Sequence, residues 1–503
     1  MEYFIHSWIV GVTVFLMTTI IAGYFYLTRN FQYWKKRGVV EIPPRPFFGN
    51  FSIKMSPGYL LKKFYEQSEN SPYVGIYILH KPCLILRDPE IIKRILVKDF
   101  NIFSDKFMRS SEKENFSNYC IFLIKNPDWK YIKTRLSSLF TSSKLRNMFE
   151  YLQDVRKDLD DYMDSRIEGS EKRINVKELC AKFTIDIVGL TVLGLKLNCL
   201  KDPKSEFQRI VRRKMTGVSD WKRAMEVTSI SLMPQITNLF DFRFFEKDGI
   251  EFFRKPFKES LEEREKSKMQ RNDLIDLLIQ LRESSENNGE SEMRFNEDNL
   301  LTQAMIFFLA GYDSSALTMS SALYELARNP AIQAKLRTEI NNAIKINNGE
   351  ITYNMVTDLQ YLDMVVSEIL RIYPVLPIID RIATKDYKIE ETGLIIEKGT
   401  PILIPMLGLH YDSKYFANPN IFDPEHFSDF EKSKRNPYAY MPFGIGPRSC
   451  IGMRQGLLQA KLGLAQIISR FEVTLSKDSS ADIDPKGYFT LFTEDLFLNM
   501  RKF

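Results

Sequence analysis

From Asn296 to Asn329 the sequence sustains one helical pattern, with Glu297 and Asp298 in the first turn and Pro330 marking the stop. At about 1.5 Å per residue such a helix is close to 50 Å long. A rod of that length crosses a whole domain, so the other elements must be arranged around it. Its middle, MIFFLAGYDSSALTM (305–319), is largely apolar and is interrupted by Asp313, Ser314 and Ser315. A buried acid and hydroxyls in mid-helix are costly unless they have partners or a task. Gly311 and Ser314 are also residues at which helices kink or lose a ladder bond.

Around this helix the pattern is mostly helical. DLIDLLIQLRE, AIQAKLRTEINNAI and GLLQAKLGLAQIISRF all repeat apolar residues at three- and four-residue steps. YVGIYIL and PCLILRD flank His80 and Lys81 and read as a hairpin. YKIEETGLIIEKGTPILIPM (387–406) supplies further short strands with glycine turns. The fold class is therefore mainly α with a minor β-sheet region. The polar stretch 283–299 reads as a surface loop within one body, because the segment after it is too apolar to begin an independent small domain.

The N-terminus sets the topology. Between Tyr3 and Thr28 there is no Asp, Glu, Lys or Arg, and residues 8–27 are long enough as a helix to reach across a bilayer core of roughly 30 Å. Trp8, Tyr24 and Tyr26 sit near its ends, where interfacial aromatics belong. A cleaved signal peptide would place basic residues before the apolar run. Here Glu2 precedes it, and Arg29, Lys35, Lys36 and Arg37 follow. The order favours an uncleaved anchor with the body on the cytosolic side. The expected division is a transmembrane anchor at 1–28, a basic, proline-stiffened linker at 29–50 and one domain at 51–503.

Bulk numbers exclude several classes. Of 503 residues 44% are hydrophobic and 27% charged, and the net charge is +6 with Lys and Arg interspersed among Asp and Glu. That balance fits a large buried core and gives no sign of a nucleic-acid partner. Five scattered cysteines argue against a disulfide framework and for a reducing compartment, and four histidines without metal spacing make a zinc site improbable.

One cysteine stands apart. PFGIGPRSCIG (442–452) is punctuated by glycine and proline, so it is a shaped loop rather than helix or strand. Phe443, Gly446, Arg448, Cys450 and Gly452 fit F-x-x-G-x-R-x-C-x-G, which chance would give in roughly one such chain per several thousand. AGYDSS (310–315), EILR (368–371) and FDPEHF (422–427) stand in the matching order. From about residue 8 to its end the chain resembles a cytochrome P450, a membrane-bound haem-thiolate monooxygenase, and is most similar to the insect microsomal members.

The resemblance implies the cytochrome P450 fold, haem b as cofactor and Cys450 as the metal ligand. A thiolate exposed in a loop suits iron, and glycines let backbone N–H groups approach and tune the sulfur. By the same resemblance Trp129, Arg381 and Arg448 hold the propionates and Phe443 belongs to the cofactor loop. The family's arginine four residues after the tryptophan is Lys133 here, which keeps the charge and loses the planar fork; Arg135 lies two residues further on. Glu368 and Arg371 match a buried ion pair whose usual third member is arginine. This chain has His426, and a neutral imidazole brings no fixed charge. Asp313 and Ser314 match an acid–alcohol pair that is normally completed by threonine. Serine retains the hydroxyl, but it can also bond back along its own helix.

The expected activity is insertion of one oxygen atom from O2 into a lipophilic small molecule, a xenobiotic or an endogenous lipid or hormone. NADPH would supply electrons through a separate flavoprotein reductase, with a small haem electron carrier as a further partner, at the endoplasmic reticulum membrane. No nucleotide-binding motif lies in the chain. Lys125, Lys130, Lys133, Lys144 and Arg146 form a basic face for an acidic partner, or simply a solvated one. Phe307, Phe308, Ala310, Leu376, Ile378 and Ile379 are the expected pocket, with Phe116, Tyr119 and Phe122 as a wall and GYFTLF (487–492) as a late turn. Two alternatives differ in class: a haem-dependent isomerase or dehydratase of oxygenated lipids, which would need no reductase, and a haem-free membrane-anchored binding protein.

Overall fold

In the computed structural model the central helix spans Glu297–Arg328. The Asn296 side chain accepts from the Asn299 N–H at 2.8 Å, satisfying one of the donors that a helix start leaves open. The structure describes residues 1–52, 55–113, 116–167, 171–202, 204–211, 221–288, 295–477, 479 and 495–503. The long helix is apolar enough to cross a membrane, yet two thirds of its most apolar window is buried inside the protein. It is the core of the body.

Two helices, Val176–Val188 and Met453–Arg470, pack directly on it. Gly463 makes the second approach possible. A Cβ there would run into Met319 Cε and lie 2.8 Å from Phe183 Cε1. The helix Gln360–Ile372 closes the same core and carries Glu368 and Arg371 inward.

The strands lie in three small sheets. Tyr73–Ile78 (β1) and Lys81–Leu86 (β2) form the expected hairpin. Lys172–Asn175 is β3, Ile378–Ile382 β4, Tyr387–Lys388 β5, Ile395–Ile396 β6 and Pro401–Pro405 β7. Phe471–Leu475 is β8 and Phe497–Lys502 is β9. The order β1-β2-β7-β4 is mixed, because β2 and β7 run parallel while the other two pairings are antiparallel. The orders β3-β9-β8 and β5-β6 complete the set. Strand β4 places Arg381 at the functional site.

Two expectations change. The polar stretch 283–299 is not simply a loop: a helix runs from Leu274 to Asn288 and the central helix begins at Glu297. Residues 29–50 are not a free spacer either. Trp34 is fully buried, donates from Nε1 to the Ile76 carbonyl at 3.1 Å, and lies against Gly75. Before it the helix Glu2–Thr28, with a mean hydropathy of 1.9 and 0% of its most apolar window buried, touches the body near its end, where Tyr24 meets Phe47 and Tyr26 meets His80.

Candidate functional site

The cysteine loop is held by its own backbone. The Gly444 N–H donates to the Met441 carbonyl at 2.8 Å, Ser449 to Gly446 at 3.0 Å, and Cys450 to Phe443 at 2.8 Å. Gly446 has φ +72°, and a Cβ there would run into the Leu96 carbonyl oxygen. The loop can lie this close to the Arg94–Lys98 turn only because that position is bare. Among the five cysteines only Cys450 is exposed, and it opens into an interior cavity. Burial pushes its thiol up, opposed by the Gly452 N–H and the Lys133 charge. Cys83, Cys120, Cys180 and Cys199 are buried in the ordinary manner.

The cavity has a volume of about 390 Å³. Cys450, Phe443 and Gly444 line it from the loop, and Ile306, Phe307, Ala310, Asp313 and Ser314 from the central helix. Leu376, Ile378, Ile379 and Phe122 add apolar surface. Expected lining is corrected at three positions. Phe308 turns into the core, its ring centroid 5.1 Å from Phe253 and 5.6 Å from Phe207. Phe116 and Tyr119 lie behind the wall, where their carbonyls accept from Thr302 and Gln303. GYFTLF lies outside the described residues.

Positive charge collects along the cavity. Arg448 stacks on Trp129, 4.4 Å from the ring centroid, and one amino group donates to the Ile124 carbonyl at 2.7 Å. Its Nε and other amino group are buried and have no partner, and neither does Arg381 Nε. Burial, then the neighbouring Arg381, pushes Arg448 down to about 9; burial also lowers Arg381. Lys106 lines the same space, 3.6 Å from Asp380 and 3.5 Å from the Phe122 ring centroid, and burial brings it to about 8. No spacing or motif marks Lys106 in the sequence. Unpartnered guanidinium N–H groups in a buried, cation-rich wall call for an anion. With a bare thiol on one side and apolar surface beyond, these residues fit a flat apolar cofactor with acidic side arms, which is haem.

On the central helix Ser314 Oγ donates to the Ala310 carbonyl at 2.6 Å. The back-bonded arrangement is thus the one observed. Burial raises the neighbouring Asp313 carboxyl, opposed weakly by Lys177. Ser315 Oγ and both amide atoms of Gln459 line the cavity without hydrogen-bond partners.

Behind the loop lies the ionic network. Arg371 and Glu368 are both fully buried and form a bidentate pair, Nε and an amino nitrogen each 2.7 Å from a carboxylate oxygen. The remaining Arg371 donors reach the carbonyls of His410, Pro419 and Ile421 at 2.9, 2.8 and 3.2 Å. His426 joins this network: Nδ1 lies 3.1 Å from Glu368 Oε1, and Nε2 lies 2.5 Å from the Ala417 carbonyl. His410, unmarked in the sequence reading, links the network to the cysteine loop. Its Nε2 accepts from the Met441 N–H at 3.3 Å, so its Nδ1 donates to the Arg371 carbonyl at 3.1 Å.

Of the expected site residues, Trp129, Lys133, Arg381, Phe443, Arg448, Cys450, Asp313 and Ser314 all line the one cavity. Arg135 stacks on Tyr131 instead, 3.5 Å from its ring centroid.

The family model described as cytochrome P450 matches residues 41–500. The chain is 40% identical to cytochrome P450 6k1 of Blattella germanica over 490 residues, covering 94% of this chain and 93% of that protein. It is 37% identical to cytochrome P450 6j1 of the same organism, with 99% of each chain covered. It is also 37% identical to probable cytochrome P450 6g2 of Drosophila melanogaster, over 95% of this chain and 96% of that one.

Proposed function

The chain belongs to the cytochrome P450 family and is a haem monooxygenase, and from that premise we propose that it oxidises lipophilic small molecules at the cytosolic face of the endoplasmic reticulum membrane. The observation that carries the reading is Cys450, the one exposed cysteine, opening beside buried cations with unpartnered N–H groups. Haem bound there through the thiolate supplies activation of O2 and insertion of one oxygen atom into the substrate. Cys450 holds the metal, while Trp129, Arg381 and Arg448 hold the acidic side arms, with Lys106 a further cation beside them. Asp313, whose carboxyl burial pushes toward the neutral form, can hold a proton there. Ser314 Oγ spends its own hydrogen on Ala310 and leaves its lone pairs open to accept one. Ile306, Phe307, Ala310 and Leu376 exclude water and orient an apolar substrate by shape. That lining supports a lipophilic substrate, which as a class includes xenobiotics and endogenous lipids or hormones.

Electrons come from NADPH through a separate reductase. Lys130 is exposed near Trp129, whereas Lys133 turns inward, so the docking face is narrower than the run of basic residues suggests. The test is the carbon monoxide difference spectrum of the reduced protein in membranes. The parent is expected to show the strongly red-shifted band of a thiolate-ligated haem, and Cys450→Ser to lose both that band and all turnover. Retention of the band in Cys450→Ser removes this cysteine as ligand. Turnover without NADPH and reductase would favour the isomerase reading.

A further inference from the structure

Lys133 stands where the resemblance places an arginine, four residues after Trp129 and so on the same face of the helix Asp128–Leu136. Lys133 lines the cavity too, but its charged group is engaged by the cysteine loop itself. Its ammonium donates to the Ser449 carbonyl at 2.9 Å and to the Pro447 carbonyl as well. These two carbonyls flank Arg448, and that of Ser449 immediately precedes Cys450. Arg448 in turn reaches the Ile124 carbonyl at 2.7 Å. The loop that delivers the sulfur is therefore tied twice to the segment 124–133, and both cations lie over the Trp129 ring. An ammonium suits this clamp: it is compact, carries three donors and can serve two carbonyls at once. The buried, unpartnered N–H groups of Arg448 and Arg381 remain to meet the acidic side arms.

We propose that Lys133 is a positioning residue for Cys450: by clamping the carbonyls of Pro447 and Ser449 it keeps the sulfur in its ligating place, rather than holding the cofactor's carboxylates. The proposal rests on the haem-thiolate reading above. It implies that removing the ammonium leaves cofactor content nearly intact and makes the thiolate easier to displace.

The experiment uses the full chain, purified with its haem, as Lys133→Met and Lys133→Arg. Two quantities are read: haem per polypeptide, and the rate at which the red-shifted carbon monoxide band decays on warming into that of the thiolate-free form. Lys133→Met is expected to retain haem within about twofold of the parent while its band decays about tenfold faster, the size expected for losing charged hydrogen bonds. Lys133→Arg, which keeps the charge and the donors on a larger planar group, should fall between. Should Lys133→Met fail to fold, Lys133→Gln, with an uncharged amide donor, is expected to show the same separation of the two quantities. Haem content that falls while the loaded fraction decays at the parent rate overturns the proposal and assigns Lys133 to the side arms. An unchanged decay rate with full haem also overturns it. A parent that never shows the red-shifted band overturns the haem-thiolate reading itself, and this inference falls with it.

Discussion

At His426 both ring nitrogens face acceptors, a carboxylate oxygen and a backbone carbonyl. A neutral imidazole has one N–H and can satisfy only one of them. Burial acts to lower its pKa, but the hydrogen bond and charge of Glu368, with the Ala417 carbonyl, outweigh it against Arg371 and hold the value above 6.5. The two acceptors and the upward shift both favour the charged ring, which in that form replaces the network's missing cation. His410 is the counter-case: its Nε2 accepts from Met441, and burial drives its pKa down to about 3, so it stays neutral. Because the folded pKa of His426 is raised, its contribution is complete below about pH 6.5 and is lost as pH rises through the folded value. Haem retention on heating, followed across neutral pH, should therefore fall on the alkaline side in the parent. His426→Arg should remove that slope and match or exceed the parent. His426→Ala should be flat and lower by about 1–3 kcal/mol. A parent slope identical to that of His426→Arg would mean the ring is neutral. Glu368→Ala and Arg371→Ala each strand a fully buried charge, at a cost of about 3–5 kcal/mol, and should yield no haem-loaded protein.

Between elements, the cysteine loop approaches the Arg94–Lys98 turn with no slack. Gly446→Ala meets a backbone carbonyl oxygen rather than a flexible side chain, and at a positive φ besides. It should cost about 2–4 kcal/mol and displace Cys450 enough to abolish the red-shifted carbon monoxide band. A normal band would show that the loop can back away from Leu96. Gly463 is more forgiving, since its nearest neighbour is the tip of Met319. Elements with sustained periodicity were readable in advance: the central helix, the C-terminal helix and the β1–β2 hairpin stand where their patterns put them. Rotational phase was not. Phe307 and Phe308 lie about 100° apart on a helix that is apolar all round, so nothing in their types tells which faces the cavity. The helix through Asn288 was hidden by its polar residues, which mark a solvated surface as readily as a loop. The loop cysteine and its arginine were legible because five residue types at fixed spacing are improbable by chance. Lys106 and His410 act through contacts between distant segments and leave no local pattern.

For the molecule as a whole, the exposed N-terminal helix and the packed body are separate in construction. Removing residues 1–28 leaves Trp34 locked under β1 and touches none of the cavity. The truncated chain should bind haem as the parent does while sedimenting far less with lipid vesicles. Loss of haem on truncation would show that the helix is needed for folding. Some attachment should remain, because Leu239 and Phe240 are 73% and 59% exposed at the end of the helix Pro234–Phe240, while Ile230, Leu232, Met233, Phe244 and Phe245 around it are core. The packing of Trp34 has a further effect once the helix lies in a bilayer. Only Arg29–Tyr33 separate the helix end from the locked indole, and Asn30 is itself tied to the His80 carbonyl at 3.0 Å. Fully drawn out, that leash spans at most about 20 Å. With the helix so placed, the body would be moored in a thin layer beside the lipid, free to drift sideways but not to rise. Any substrate or redox partner held in the same bilayer would then meet the enzyme by a two-dimensional search, and the density of molecules per area of membrane would set how often they collide.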